Sequence, residues 1–466
     1  MVAPSSSPPR QQISPPARKA GGTALAVLGI LILLACGCGQ APTVPPEQPS
    51  QSLAVVVSCD TAGWIVPCGC SSKQAGGLLR RATYVQQLVD GGKEVLLVDV
   101  GGAPGGTSLY DQAKFEAVLR GEVAMRIAAH NLGAAEADLG VESLRDLASR
   151  TQAPLISTNV LDEQGHNFVE SHRIVSVGST RFAILGVLSP NDSHRGMRIE
   201  EPAPAVLKTI GSLQGQYDVL LILAYLPEEE LEEFVKRVPE ADLVMGGPTR
   251  QSIAPRSSGP TTWAAATNKG KFLVSMERLA PDSKWNGEIV ELGEEYADNP
   301  SQKANLDQFR KVLAERDFSA DQTSFVATLS NVPGSQFQVA GTETCRSCHN
   351  NDCQSWEGTA HGHAWQTLVE KGSHVDPYCQ QCHTTGYGLP GGFQSLVLGQ
   401  ARVNVGCESC HGPAQAHAEN PKVKTIYNAR DRCTHCHDHD NSPTFDFEKY
   451  WQKIDHGVPA DPGEGT

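Results

Sequence analysis

One short pattern, repeated four times near the C-terminal end, limits how this chain can fold more than any hydrophobic periodicity does. The copies are Cys345-Arg346-Ser347-Cys348-His349, Cys379-Gln380-Gln381-Cys382-His383, Cys407-Glu408-Ser409-Cys410-His411 and Cys433-Thr434-His435-Cys436-His437. Two intervening residues place both thiols on one helical turn, and a histidine follows at once. A C-x-x-C-H run is the attachment signature of c-type haem. Each thiol forms a thioether with a haem vinyl group, and the adjacent imidazole is the proximal iron ligand. C-x-x-C pairs also build four-cysteine zinc sites, but zinc gives no reason for a His directly after every second Cys. The residues therefore point to four c-type haems. Their attachment points are Cys345, Cys348, Cys379, Cys382, Cys407, Cys410, Cys433 and Cys436, with His349, His383, His411 and His437 as proximal ligands.

The stretch 341–457 that carries these motifs has few aliphatic runs and much Gly and Pro. Such a chain cannot bury an ordinary core unaided, and four porphyrins would supply the missing apolar mass. It also holds seven further histidines: His361, His363, His374, His417, His435, His439 and His456. Haem iron takes imidazole readily, so this surplus marks candidates for the second axial position.

Eight of the 14 cysteines belong to the motifs and Cys353 lies just past the first; Cys36, Cys38, Cys59, Cys68 and Cys70 are near the front. Covalent haem attachment takes place outside the cytoplasm, where the front cysteines can form disulfides. For Cys59, Cys68 and Cys70, one disulfide plus a spare thiol is favoured over a redox or metal-binding trio. Cys353 reads as small buried filler rather than a reactive thiol. The formal charge of −14 argues against nucleic acid, which rewards basic patches. It suits encounter with redox partner proteins that carry Lys or Arg patches, although ordinary solubility explains it equally well.

Along the chain, an apolar run from Thr23 to Ala35 has the length of a secretory h-region rather than a membrane span. It ends Leu33-Leu34-Ala35-Cys36, which resembles a bacterial lipobox. Segment 1–36 is accordingly expected to be a signal peptide with Cys36 as the lipidated residue, and 37–51 a Pro-rich tether. An uncleaved anchor and a soluble export signal are the other readings; all three place the remainder in the periplasm or another extracytoplasmic space.

From 52 to 316, short apolar runs alternate with helix-like segments, which argues for an α/β layered domain. Leu53–Ser58, Glu94–Asp99, Val219–Ala224 and Asp242–Met245 read as strands. Leu78–Val89, Tyr110–His130, Ala205–Leu213 and Glu228–Val238 read as helices. Two further strand pairs, Arg173–Val177 with Arg181–Leu185 and Thr261–Ala266 with Phe272–Arg278, are expected to thicken the domain into a sandwich. A closing helix runs from Gln302 to Glu315, residues 317–340 form a polar linker with a turn at Pro333-Gly334, and 458–466 is an unstructured tail. Arg80 and Arg81 read as an exposed helix face.

The α/β segment resembles the catalytic domain of metallophosphoesterases related to bacterial nucleotidases, of calcineurin-like type. The resemblance rests on Ser58-Cys59-Asp60-Thr61-Ala62-Gly63, Gly76-Gly77-Leu78-Leu79-Arg80-Arg81, Val98-Asp99-Val100-Gly101-Gly102, Asn131-Leu132-Gly133 and Asp242–Arg250. Such enzymes hold two metal ions with Asp, His and Asn at strand ends. Against that pattern, Ala62 stands where a His belongs and Gly102 where a bridging Asp belongs. Glu136-Ala137-Asp138-Leu139 lacks the His of its motif, Tyr225 follows Leu223-Ala224 where a ligand His is due, and Gly247-Pro248-Thr249-Arg250 has lost two more. Only Asp60 keeps a ligand type, so the resemblance implies a scaffold that no longer hydrolyses phosphoesters.

The C-terminal segment resembles the tetrahaem cytochrome c-554 family, electron carriers paired with hydroxylamine oxidation. The resemblance rests on Cys345–Leu368, Gly386-Tyr387-Gly388, Gly391-Gly392-Phe393, Val405–Pro413 and Ser442–Phe447 leading to His456. It implies a mostly α, haem-packed domain with His361, His417 and His456 as distal ligands of three six-coordinate haems. It also implies an open fourth haem, at His383, although His363 and His374 lie close enough in sequence to fill that face. The function expected is extracytoplasmic electron transfer, with haem-based turnover of a small nitrogen compound as the alternative and phosphoester hydrolysis as the least favoured reading.

Overall fold

In a computed structural model, the described residues are 52–67, 74–191, 194, 196–280, 283–325 and 337–456. The expected leader, lipobox, tether and tail, together with Cys68, Cys70 and the Pro333-Gly334 turn, lie outside them.

The central strands are apolar on both faces because each face is covered. In β1 (Leu53–Ser58), Val55 and Val57 point into the space between two sheets, while Val56 turns outward to Tyr84 and Val85 of α1 (Leu78–Asp90). The chain continues through β2 (Glu94–Asp99), α2 (Leu109–Ala124), β3 (Ala129–Asn131), α3 (Ala134–Ala137), α4 (Val141–Thr151) and β4 (Leu155–Ile156). Then come β5 (Val160–Asp162), β6 (His172–Val177), β7 (Thr180–Leu188), β8 (Met197–Ile199), α5 (Pro202–Ser212), β9 (Val219–Tyr225) and α6 (Glu228–Arg237). The front domain closes with β10 (Leu243–Gly247), β11 (Ile253–Ser258), β12 (Thr261–Ala265), β13 (Phe272–Arg278), β14 (Asn286–Glu291) and α7 (Pro300–Arg316).

Two mixed sheets result, ordered β14-β13-β1-β2-β3-β4 and β11-β12-β10-β9-β7-β6. Each has a parallel centre and antiparallel partners towards its edge. Leu221 and Leu223 of β9 meet Val55, Val57 and Val98 between the sheets, and the alternate residues Leu220 and Ile222 pack outward on α5 and α6. This is the α/β layered sandwich of the calcineurin-like type.

Three expectations are corrected. The helix from Tyr110 stops at Ala124, because Arg126 turns left-handed (φ 60°) and Ala129–Asn131 is recruited as a strand beside β2. β12 and β13 do not pair. Consecutive positive φ angles at Asn268, Lys269 and Gly270 carry the chain from one sheet to the other, where β13 runs antiparallel to β1. Arg80 and Arg81 are buried rather than exposed, since both side chains find partners inside the domain.

The C-terminal segment is built of short helices: α8 (Thr342–Arg346), α9 (Asn350–Glu357), α10 (Ala364–Glu370), α11 (Pro377–His383), α12 (Cys407–His411), α13 (Gln415–Glu419) and α14 (Phe447–Trp451). Its buried hydrophobic residues, among those described from 341 onward, are Cys353, Ala364, Leu368, Phe393 and Ala414. Five side chains are no core for this length. The segment leans on the front domain instead. Trp64 meets Tyr378 edge-on at 5.4 Å, and the buried Tyr110 hydroxyl donates to Asp376 at 2.7 Å. Asp317, just past α7, accepts from the Ser395 hydroxyl (2.7 Å) and from the backbone N–H groups of Leu396 (2.7 Å) and Val397 (3.0 Å). An Asp317→Ala variant removes those acceptors at a cost of ~0.5–1.5 kcal/mol per bond. Hydrogen exchange should accelerate at Leu396 and Val397 while the sheets keep their protection.

Candidate functional site

Each cysteine motif occupies a single helical turn. His349 and His437 donate their backbone N–H to Cys345 and Cys433, both at 2.9 Å, four residues back. The second motif lies on α11, opened by Asp376, whose side chain accepts from Tyr378 N–H, and by Pro377 in the first turn. The third motif is α12 itself.

The four motif histidines come from separate turns, yet three of them face a second imidazole. His349 faces His417 with ring centres 6.2 Å apart, His437 faces His361 at 6.2 Å, and His411 faces His456 at 6.0 Å. Two imidazoles on one metal, each with a metal–nitrogen bond of about 2.0–2.1 Å, have ring centres about 6 Å apart. Nδ1 of His417 faces the Val423 carbonyl (2.7 Å), Nδ1 of His456 the Ile454 carbonyl (2.9 Å), and Nδ1 of His437 the Ser442 hydroxyl (3.1 Å). Anchoring one ring nitrogen this way fixes the ring and leaves the other for a metal. Burial holds His361, His383, His411 and His437 below the usual imidazole range, which favours the neutral, ligating form. The residues fit bis-imidazole haem.

His383 is arranged differently. Its Nδ1 faces the Ala364 carbonyl at 2.8 Å, but among the described residues no imidazole faces its ring at such a spacing. His374 instead packs edge-on against Trp365 at 6.1 Å, and His363 is exposed. Neither of the two nearby candidates is brought to His383. Arg346 is paired with Glu343 and Glu357, and Lys449 with Asp446.

Glu408, one of the variable positions of the third motif, was not visible as a structural residue in the sequence. Its buried carboxylate accepts from the backbone N–H of Ala340 (2.8 Å), Gly341 (2.7 Å) and Ala414 (2.7 Å), tying the entry of the first motif to the third. Leaving a buried N–H unsatisfied costs ~1–3 kcal/mol. Glu408→Ala is therefore expected to lower stability by at least ~3 kcal/mol, read as a drop in the denaturant midpoint, whereas a surface control such as Glu419→Ala leaves it in place.

In the front domain the Tyr225 side chain packs over two strand-end glycines. A side-chain carbon added at Gly102 would meet the Tyr225 ring at 2.9 Å, and one at Gly133 would meet it at 2.7 Å. Tyr225 thus leaves no room for a side chain at Gly102, where the resemblance leads one to expect a bridging Asp. Asp60, at φ 52°, accepts from the Thr267 hydroxyl (3.1 Å) and Asn268 N–H (3.3 Å), so the surviving carboxylate holds a turn. Burial raises its pKa. Cys59 is buried beside Gly247, and burial raises its thiol well above the usual range.

Behind the cleft sits a closed charge network. Arg81 reaches Asp99 (3.5 Å), Glu122 (3.4 Å) and Thr61 (2.7 Å), while His130 lies between Glu122 (2.8 Å) and Glu136 (3.1 Å). Glu136 in turn accepts from the N–H groups of Gly102, Ala103 and Gly133, the turns on which the family carries metal ligands. Burial, then Glu122, pushes Asp99 up to about 7. Burial works against the charge on His130, but Glu122 and Glu136 hold its pKa well above the usual value. Both groups have raised folded-state values. Their contributions are complete below the unfolded values, near 3.9 for Asp and 6.5 for His, and are lost as pH rises through the folded ones. The denaturant midpoint is expected to decline between pH 5 and 8. In Asp99→Asn the decline should be shallower; an unchanged slope would contradict the assignment to Asp99.

Residues 344–412 match the family model described as cytochrome c554 and c-prime. Cytochrome c-554 of Nitrosomonas europaea is 34% identical over 90 residues, covering 16% of this chain and 38% of that protein. A snake venom 5'-nucleotidase of Crotalus adamanteus is 27% identical over 210 residues, covering 41% of this chain and 35% of that one. The chain thus spans little more than a third of the length of either relative. Among solved structures, the sulfate thiohydrolase SoxB of Thermus thermophilus, in complex with glycerol, superposes with a TM-score of 0.50 at 16% identity, covering 59% of this chain and 63% of that one. That likeness concerns the fold of the front domain alone. The C-terminal segment is of the c-type cytochrome kind, and c-type haem is its cofactor.

Proposed function

We propose that this chain is an extracytoplasmic tetrahaem cytochrome that passes single electrons along a chain of haems, held at a membrane surface by a lipidated Cys36. The observation that carries the proposal is the spacing of the His349/His417, His361/His437 and His411/His456 pairs at 6.0–6.2 Å. When bound, c-type haem supplies one-electron redox chemistry. The chain's own residues fix the axial rings through Val423, Ser442 and Ile454 and keep buried imidazoles neutral. Rings held in place this way change little between redox states, which suits outer-sphere transfer. The acidic surface suits redox partners with basic patches.

The unpaired imidazole of His383 favours a second reading, turnover of a small nitrogen compound at an open haem. Ferric EPR of the purified, exported protein tests both readings. Three low-spin bis-imidazole centres and one high-spin centre are expected, with the high-spin signal altered by added nitric oxide. Four low-spin signals would remove the second reading, and absence of paired low-spin centres would remove the first. The front domain is proposed to be a non-hydrolytic scaffold, because Tyr225 lies where metals and substrate would meet. Metal-dependent hydrolysis of nucleotides or p-nitrophenyl phosphate by the purified protein would contradict this.

A further inference from the structure

The front domain reaches the haem segment through the same turn that its surviving metal-type ligand holds. Asp60 accepts from Thr267 and Asn268, and the two residues that follow its first contact, Asn268 and Lys269, sit at φ 76° and 57°. A left-handed turn of non-glycine residues is strained unless its surroundings hold it, and the Asp60 carboxylate is the group that does so. From this turn the Lys269 ammonium pairs with Asp440 of the C-terminal segment, and Lys271 reaches the same carboxylate at 3.4 Å.

Asp440 lies in the loop that orients one motif histidine. Asp438 accepts from Asn441 N–H at 2.6 Å, Ser442 N–H donates to the Asp438 carbonyl at 2.8 Å, and the Asn441 amide meets the Tyr378 hydroxyl at 3.0 Å. Ser442 then places its hydroxyl 3.1 Å from Nδ1 of His437. On the other side, the His437 ring stacks on Phe445 at 4.8 Å, with planes 10° apart. Asp60 thus holds the Thr267–Asn268 turn, Lys269 and Lys271 from that turn hold Asp440, and two residues further along the same loop Ser442 meets the His437 ring.

We propose that Lys269 and Lys271, with Asp60 behind them, are positioning residues for the axial imidazole of His437: the former catalytic mouth of the front domain sets the ring orientation of the fourth haem motif. The inference rests on the reading of His437 as a haem ligand. Two lysines share one carboxylate across the junction, with Lys271 mostly shielded from solvent. Such a paired, partly desolvated contact holds geometry better than an isolated surface pair does. It gives the retained domain a task that needs no metal.

The test uses the full-length holoprotein and the double variant Lys269→Gln/Lys271→Gln, with Lys269→Arg/Lys271→Arg as the rescue. Asp440→Asn serves as a second probe in case the double variant misfolds. The readouts are ferric EPR and a potentiometric titration resolved by haem. In bis-imidazole haem the g-values follow the angle between the two ring planes, here 39° for His361 and His437. One low-spin signal should therefore shift its g-values, the midpoint potential of one haem should move with it, and the arginine pair should restore both. The other low-spin signals should stay in place. A potential that moves with unchanged g-values would reduce the lysines to a charge effect and overturn the proposal, as would no change at all. A wild-type protein without three bis-imidazole signals would instead overturn the reading of His437 on which the proposal stands.

Discussion

The interaction on which the C-terminal segment depends is imidazole facing imidazole at the spacing of a shared metal. The described part of that segment buries Cys353, Ala364, Leu368, Phe393 and Ala414 as its hydrophobic residues. Helices of five to eight residues do not hold together on so little apolar area. On the proposed reading, the turns that carry His349, His411 and His417 and the stretch after α14 come together because His349 shares an iron with His417 and His411 shares one with His456. Porphyrin filling the space between the rings would turn these scattered turns into a solid interior. The protein supplies rigid frames around the rings, through Glu408 at the first and third motifs and through Ser442 at the fourth.

The front domain has followed the opposite course. Its sandwich keeps an ordinary hydrophobic core, with Val55, Val57, Leu221 and Leu223 meeting between the sheets, and the turns at Gly102 and Gly133 are packed from two directions. Tyr225 packs against them from the side of β9. From behind, the Arg81–Asp99–Glu122–His130–Glu136 network holds the turns at Gly102 and Gly133 by hydrogen bonds. The cations of that network are side chains, and they keep buried carboxylates compensated in the way a bound metal otherwise would.

Much of this was legible in the sequence. The attachment motifs announce themselves because covalent chemistry fixes both spacing and residue type, and the strands of the sandwich because two-sided burial demands unbroken apolar runs. That His361, His417 and His456 would face motif histidines could be expected only through resemblance, since such a partner has no local pattern and is chosen by tertiary approach. The departures from the expected ligand types could be read at Ala62, Gly102 and Pro248, whereas the packing of Tyr225 over Gly102 and Gly133 could not. Arg81 and His130 looked like surface and helix because their partners Asp99, Glu122 and Glu136 lie on other elements. The misassigned β12–β13 pair shows the same limit. Two strand-like runs with a short connection suggest a hairpin, and only the left-handed turn at Asn268-Lys269-Gly270, which Asp60 holds, sends the second strand to the other sheet.

The central claim is that haem is covalently attached at all four motifs, so that the paired imidazoles are axial ligands rather than accidental neighbours. Intact-mass measurement on protein exported by a host with c-type haem maturation tests it most directly. The account predicts the processed polypeptide mass plus four haems. An apoprotein mass, or one that accounts for zinc in place of porphyrin, would contradict it.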